Sequence, residues 1–238
     1  MGRNLELLAE DEERTTIKTK EDFDAELRFF EDGSELFLKT FEVLSSGDYD
    51  KFTHSKDATY RISYRIFRIL RCSLNCSIQG YYDVGIALLR IAFENHLLMK
   101  YLSENENEAE LWFKGKQFKP WQIRRKVTYA SDSLYNEMSE FIHSSFKSTL
   151  AFTLVQTDKT KAVLGEYQKD RFQEVLHLTL MTTATTLIWL SLTFAEELTQ
   201  NEEWHSMFRD AVPRMWKHIK TSIKEKKKKN KGTEEAKR

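Results

Sequence analysis

The stretch that decides the fold is YDVGIALLRIAFENHLLMKYL, residues 82–102, which is apolar on nearly every helical face. A helix that is apolar all round is buried, so the pattern predicts a central helix within a bundle. Arg90 and Glu94 interrupt it four residues apart, which places both on one side of that helix. Burying a charged pair is costly unless both groups are paired and hydrogen-bonded, so this pair is the first candidate for a site.

The composition favours an all-α fold. The 238 residues include only eight glycines and two prolines, and no alternating strand pattern is visible. A parallel-sheet enzyme fold is therefore disfavoured. We expect an antiparallel multi-helix bundle with the following parts: an acidic helical segment over residues 1–56, the bundle proper over 57–200, and a C-terminal helix with a disordered lysine-rich tail over 201–238.

A second long apolar run, LTLMTTATTLIWLSLTFA at residues 178–195, is nearly long enough to cross a bilayer. Its threonines favour a buried bundle helix over a membrane span, so we expect no membrane association and, without a signal peptide, a cytoplasmic protein. A stripe of small polar residues suits tight helix packing or a subunit interface. The stripe consists of Thr179, Thr182, Thr183 and Thr186.

The two cysteines, Cys72 and Cys76, lie one helical turn apart without a second pair or a nearby histidine. That spacing does not complete a zinc site, and a disulfide across it would be strained. We therefore expect reduced core cysteines and neither a metal nor another cofactor. Between residues 148 and 165 the chain has no clear periodicity, which predicts a loop.

Two further polar patterns accompany the Arg90–Glu94 pair. Ser139 and His143 share a face of the helix predicted over residues 133–143, and we expect the two pairs to form one polar cluster. The helix predicted over residues 57–79 carries a stripe of arginines that could hold phosphates, or could be a solvated face paired with the acidic N-terminal helices. The stripe consists of Arg61, Arg65, Arg68 and Arg71.

The strings RCSLNCSIQGYYDVGIALLRIAFENHLLMKYL (71–102) and LYNEMSEFIHSS (134–145), with the elements at 112–115 and 118–120 between them, resemble a branch of the HEPN-like helical domains. The resemblance covers roughly residues 57–198, and these proteins are mostly uncharacterised and prokaryotic, some with toxin–antitoxin or phage-defence associations. It rests on the relative positions of Arg90, Glu94, Tyr135, Ser139 and His143.

Many HEPN relatives are metal-independent ribonucleases that act as dimers, with an arginine and a histidine on one helix. The resemblance thus implies a homodimer and an RNA substrate, with an antitoxin or defence protein as a further partner. Arg90 and His96 satisfy the loose spacing, but Ile91 replaces the usual polar residue after the arginine. Six residues of ideal helix also turn His96 about a third of a circle away from Arg90, which leaves His143 as the alternative partner.

In a metal-free cleavage of RNA, His143 or His96 would act as base or acid and Arg90 would stabilise the phosphorane charge. Ser139 or Tyr135 would orient the phosphate, and Glu94 would hold the arginine or set the histidine tautomer. Two other interpretations compete with this one. In the first, the polar cluster is a structural network in a non-catalytic module that binds a nucleotide, RNA or a protein. Alternatively, the chain is a membrane-associated helical protein.

Overall fold

The computed structural model describes residues 3–47, 51–127, 153–156, 159–162 and 166–235. Within these ranges the fold is helical apart from one short hairpin, and this confirms the all-α prediction. The elements are α1 (Arg3–Ser46), α2 (His54–Ile78), α3 (Tyr82–Ser103), α4 (Glu106–Phe113), α5 (Pro120–Arg124), β1 (Thr153–Gln156), β2 (Lys159–Ala162), α6 (Lys169–Thr193), α7 (Ala195–Leu198) and α8 (Glu202–Glu235).

The hairpin formed by β1 and β2 differs from the sequence expectation, which placed a loop there. The two strands pair antiparallel, with Thr153 opposite Ala162. Each strand has four residues, and a two-stranded hairpin of this size is marginal without further support. Such short strands give no readable alternation in the sequence.

Helices α2 and α3 form a tight helical hairpin. At the turn, Gly80 has a φ of 94°, a conformation that glycine adopts without steric cost. Just beyond it, the Ser73 hydroxyl of α2 donates to the carbonyl oxygen of Gly85 in α3 at 2.8 Å. At the end of the helical hairpin away from this turn, the Glu106 carboxylate of α4 accepts hydrogen bonds from the backbone N–H groups of His54 and Ser55. These contacts fix α4 against the start of α2.

The helix that contains the threonine stripe is α6, and it lies at the centre of the fold, in contact with α1, α2, α3 and α8. Its length and composition would suffice for a membrane span, but 56% of its most apolar window is buried inside the protein. Three of the stripe threonines are fully buried and Thr182 is 5% exposed. The stripe therefore serves helix packing within the chain and is not available as a subunit interface.

Helices α1 and α8 pack on each other and complete the same core. The Trp204 indole of α8 donates to the Thr40 hydroxyl of α1 at 2.8 Å, and Lys39 forms an ion pair with Glu203 at 2.6 Å. Helix α1 is interrupted at Phe23, whose φ of −131° and ψ of 21° are non-helical. The acidic segment predicted over residues 1–56 thus consists mainly of one long helix with a kink. Helix α8 continues through the lysine run to Glu235, where the sequence predicts a disordered tail.

The expectation that the cysteines lie in the core is wrong. Cys72 is exposed and Cys76 is only partly buried, and they do not form a disulfide. The buried face of α2 is formed by Ile62, Ile66 and Leu70, which recur every four residues. Cys72 follows Leu70 by two residues, about 200° around the helix, and so points away from the core.

Candidate functional site

Helix α3 brings Arg90 and Glu94 together as the four-residue spacing predicts. The Arg90 Nε atom lies 3.1 Å from Glu94 Oε1, and the two side chains are 15% and 24% exposed. Ile91, between them in sequence, is 38% exposed, so α3 is not buried on every face. The ion pair therefore lies at the margin of the core, where both its charges remain partly accessible to solvent or to a ligand.

His96 lies on a different face of α3, inside the core. It is 2% exposed, and its Nδ1 atom is 3.1 Å from the Thr186 hydroxyl of α6. Burial, together with the nearby Lys100 ammonium, lowers the pKa of His96 to about 4, so the ring is neutral at physiological pH. An RNA phosphate would have to enter the core to reach this ring. The geometry thus favours a structural role for His96 over a role in proton transfer.

Three residues of the expected polar cluster, Tyr135, Ser139 and His143, lie outside the described residues. Their meeting with Arg90 and Glu94 stays a prediction, and so do the catalytic roles assigned to all five. Among the residues that the structure describes, no group of three His, Cys, Asp or Glu side chains could hold a metal ion.

The arginine stripe lies on the outer side of α2, where all four of its side chains are exposed. We call the surface formed by Arg61, Arg65, Arg68 and Arg71 the arginine face. Arg61 forms an ion pair with Asp57, one turn earlier, at 2.7 Å. Within the described part of the chain, Arg65 and Arg68 form no ion pair, and neither does Arg71. Pairing with the acidic residues of α1 therefore does not account for these three cations.

Aromatic rings accompany the arginine face, and their exposure is not evident from the charge pattern of the sequence. Tyr64 is 48% exposed between the arginines, and its ring packs edge-on against Phe41 at 5.2 Å between centroids. Phe113 of α4 is 39% exposed, and the Arg61 guanidinium lies 5.8 Å from its ring centroid. A signal for Tyr64 exists in TYRISYRIFRILR, residues 59–71, where an aromatic residue directly precedes three of the four arginines.

Comparisons with family models, with curated proteins and with solved structures gave no match. The described residues form a helical protein with one short hairpin and an exposed, mostly unneutralised arginine face. They also include a half-buried Arg90–Glu94 pair on the central helical hairpin.

Proposed function

We propose that this protein binds RNA through the arginine face. The observation that carries the proposal is the exposure of Arg65 and Arg68 without an ion-pair partner in the described structure. Unneutralised cations in a row attract a polyanion, and guanidinium forks match phosphate oxygens. From Arg61 to Arg71 the helix rises about 15 Å, a length that accommodates about four phosphates at stacked-strand spacing.

Two further features favour single-stranded RNA as the polyanion. Tyr64 and Phe113 offer exposed rings beside the cations, and base stacking on aromatic side chains is typical of proteins that bind single strands. The HEPN-like resemblance, carried by Arg90, Glu94 and the residues at 135–143, supports RNA over DNA. The proposal needs no catalytic group.

Fluorescence anisotropy with a fluorescein-labelled oligouridylate, titrated at several salt concentrations, tests the proposal. Replacing Arg65 and Arg68 by alanine should weaken binding, and the slope of log K against log[salt] should become shallower by about 1.4, or about 0.7 per lost phosphate contact. The matched control replaces Arg28 and Arg209, two exposed arginines on α1 and α8, and removes the same charge elsewhere. Equal losses in both variants, or no binding by the wild-type protein, would refute the assignment.

Metal-independent cleavage of RNA is a second candidate function, favoured by the partial exposure of the Arg90–Glu94 pair. In this proposal Arg90 stabilises the phosphorane charge and His143 transfers the proton, because burial makes His96 inaccessible. Glu94 orients the guanidinium, while Ser139 and Tyr135 position the phosphate. The proposed chemistry uses side chains alone, so cleavage should continue in EDTA.

Gel assays of RNA cleavage and induced expression in a bacterial host test this second candidate. Folded His143→Ala and Arg90→Ala proteins should lose cleavage and any growth arrest, whereas Arg209→Ala should retain both. Cleavage by folded His143→Ala would eliminate that residue as the base. The absence of cleavage and growth arrest with the wild-type protein would leave RNA binding as the function.

The resemblance also supports a homodimer as the functional form, and a defence or antitoxin protein as a further partner. Because the threonine stripe is buried within the chain, a dimer interface would need another surface. Light scattering at micromolar protein concentration tests the oligomeric state, and a monomer mass would refute the homodimer.

A further inference from the structure

A cavity of about 360 Å³ lies where the C-terminal end of α3 meets α4, α5 and the loop between them. That size is within the range of small-ligand sites. Three aromatic rings line it. Tyr101 is buried and packs edge-on against Phe118, with ring centroids 5.8 Å apart, whereas Trp121 at the opening is 50% exposed. The cavity thus combines a fixed aromatic wall with a large indole surface that the protein leaves uncovered.

Cations surround these rings. The Arg125 guanidinium lies 5.2 Å from the Trp121 ring centroid, and the Lys116 ammonium lies 5.0 Å from that of Phe118. A third cation, Lys126, donates to the Tyr101 hydroxyl at 2.8 Å. They belong to the segment KGKQFKPWQIRRK, residues 114–126, which has six basic residues and no acidic one. A ligand in this cavity would therefore meet positive charge on several sides.

One carboxylate among the lining residues, Glu108, is already neutralised. Its oxygen lies 2.5 Å from the Lys116 ammonium, and this contact lowers the pKa of Glu108, so the pair persists as ions at neutral pH. Arg125 and Lys126 then remain as net positive charge at the cavity. Clefts lined by charge of one sign attract ligands of the opposite sign, and an exposed indole favours those anions that carry a flat π-face for stacking.

We propose that this cavity binds a nucleotide. The base stacks on the uncovered surface of Trp121, and the phosphate is held by Arg125 and Lys126. The side-chain Oε1 atom of Gln122 accepts a hydrogen bond from the backbone N–H of Lys119 at 3.3 Å, and its side-chain nitrogen serves in this proposal as a donor to the base edge. The site shares no residue with the arginine face or with the Arg90–Glu94 pair.

Two sources could supply this nucleotide, a free mononucleotide or one unit of a bound RNA strand. Helix α4 connects the two surfaces, because its Phe113 contacts Arg61 of the arginine face and its Glu108 lines the cavity. A strand that follows the arginine face could extend past α4 to the cavity. If the ligand is a free nucleotide, the proposal is independent of RNA binding by the arginine face. If the ligand is a unit of a strand, the proposal rests on that binding.

Isothermal titration of the full-length protein with AMP, adenosine and inorganic phosphate tests the site. AMP should bind more tightly than either fragment, and Trp121→Ala or Arg125→Ala should weaken it at least tenfold. Trp121→Phe, which keeps a stacking ring, should restore most of the affinity. The controls are Leu192→Ala and Arg209→Ala, which remove an exposed apolar side chain and an exposed arginine that do not line the cavity. Far-ultraviolet circular dichroism, which reports helix content and does not depend on the replaced indole, shows that each variant is folded.

The same variants, titrated with a short oligoadenylate, identify the source of the nucleotide. If AMP binds saturably and Trp121→Ala abolishes this binding, the ligand is a free nucleotide. If AMP does not bind measurably but oligoadenylate does, and Trp121→Ala weakens that binding, the ligand is one unit of a strand. If replacing Trp121 or Arg125 weakens the binding of AMP and of oligoadenylate no more than the control replacements do, the proposal is refuted. Replacing Arg65 and Arg68 should leave AMP binding unchanged, so failure of the arginine face and failure of the cavity are distinguishable.

Discussion

Gly85 of α3 lies so close to Ser77 of α2 that a Cβ atom on the glycine would be 2.0 Å from the serine hydroxyl oxygen. The same Cβ would lie 3.1 Å from the Ser73 carbonyl oxygen. Real Cβ atoms do not make the shorter contact, so the two helix backbones approach closely only because residue 85 has no side chain. This contact sets the separation of α2 and α3, and with it the relation of the arginine face to the Arg90–Glu94 pair.

Replacing Gly85 by alanine should destabilise the protein. Glycine-to-alanine changes in helices usually gain about 1 kcal/mol, but overpacking of a core typically costs about 1–3 kcal/mol and should dominate here. Adding Ser77→Ala removes the clashing oxygen and should recover part of the loss. Urea unfolding midpoints measure both effects. Gly47→Ala is the control, because its Cβ would meet only backbone oxygens at 3.6 Å or more; equal effects at the two glycines would contradict this explanation.

Arg90 and Glu94 should be energetically coupled. Breaking a fully buried pair typically costs about 3–5 kcal/mol, whereas exposed pairs contribute about 0–1 kcal/mol. The partial exposure of this pair places the expected loss for Glu94→Ala between these limits, at about 1–2 kcal/mol. The double replacement should cost less than the sum of the single ones. A cycle of urea midpoints at low and high salt checks this, and strictly additive losses would mean that the two side chains do not interact in solution.

Stability should fall between pH 6.5 and pH 4 because of His96. Its pKa is lowered to about 4 in the folded protein, so the unfolded chain takes up a proton first as the pH falls below about 6.5. The stabilisation is complete above pH 6.5 and decreases toward pH 4, by at most about 3 kcal/mol. Thermal unfolding over this range should show a shallower pH dependence in His96→Gln than in the wild-type protein. Parallel curves for the two would show that His96 titrates normally.

A second pH effect should appear at lower pH through Glu106. Burial alone would raise its pKa, but the hydrogen bonds from Ser55 and His54 outweigh it and lower the pKa of Glu106 to about 2. A lowered carboxyl pKa contributes stability above pH 4.5 that is lost as the pH falls toward 2. Glu106→Gln should lower the free energy of unfolding by about 1 kcal/mol at neutral pH, as the loss of other helix caps does. It should also reduce the fall in stability between pH 4.5 and pH 2.

The control for Glu106 is Glu104→Gln, which removes a half-exposed carboxylate paired with Lys100. Such surface pairs contribute little, so this variant should unfold at nearly the wild-type temperature. Equal losses in the two variants would show that the cap of α2 has no special role.

The sequence predicts the helices well where apolar periodicity is strong. Residues 82–102 and the threonine-rich run correspond to α3 and α6, because their patterns are unambiguous over many turns. Cysteine is common in cores, but this general tendency fails for Cys72, and only the phase of α2 relative to Leu70 shows that the residue faces outward. The cavity beside Trp121 cannot be predicted from the sequence, since it depends on how α5 and its preceding loop fold back on Tyr101. No local spacing encodes that return.

The pairing of α1 with α8 has a consequence for the order in which the newly synthesised chain can fold. Ser73 and Gly85 are 12 residues apart, so the α2–α3 hairpin can close soon after it leaves the ribosome. Thr40 bonds to Trp204, which is 164 residues later in the chain. Synthesis of the intervening residues takes roughly 10–30 s at usual translation rates. During that interval α1 presents apolar side chains without their final cover. Apolar surface exposed in this way makes a nascent chain prone to aggregation until its final contacts form.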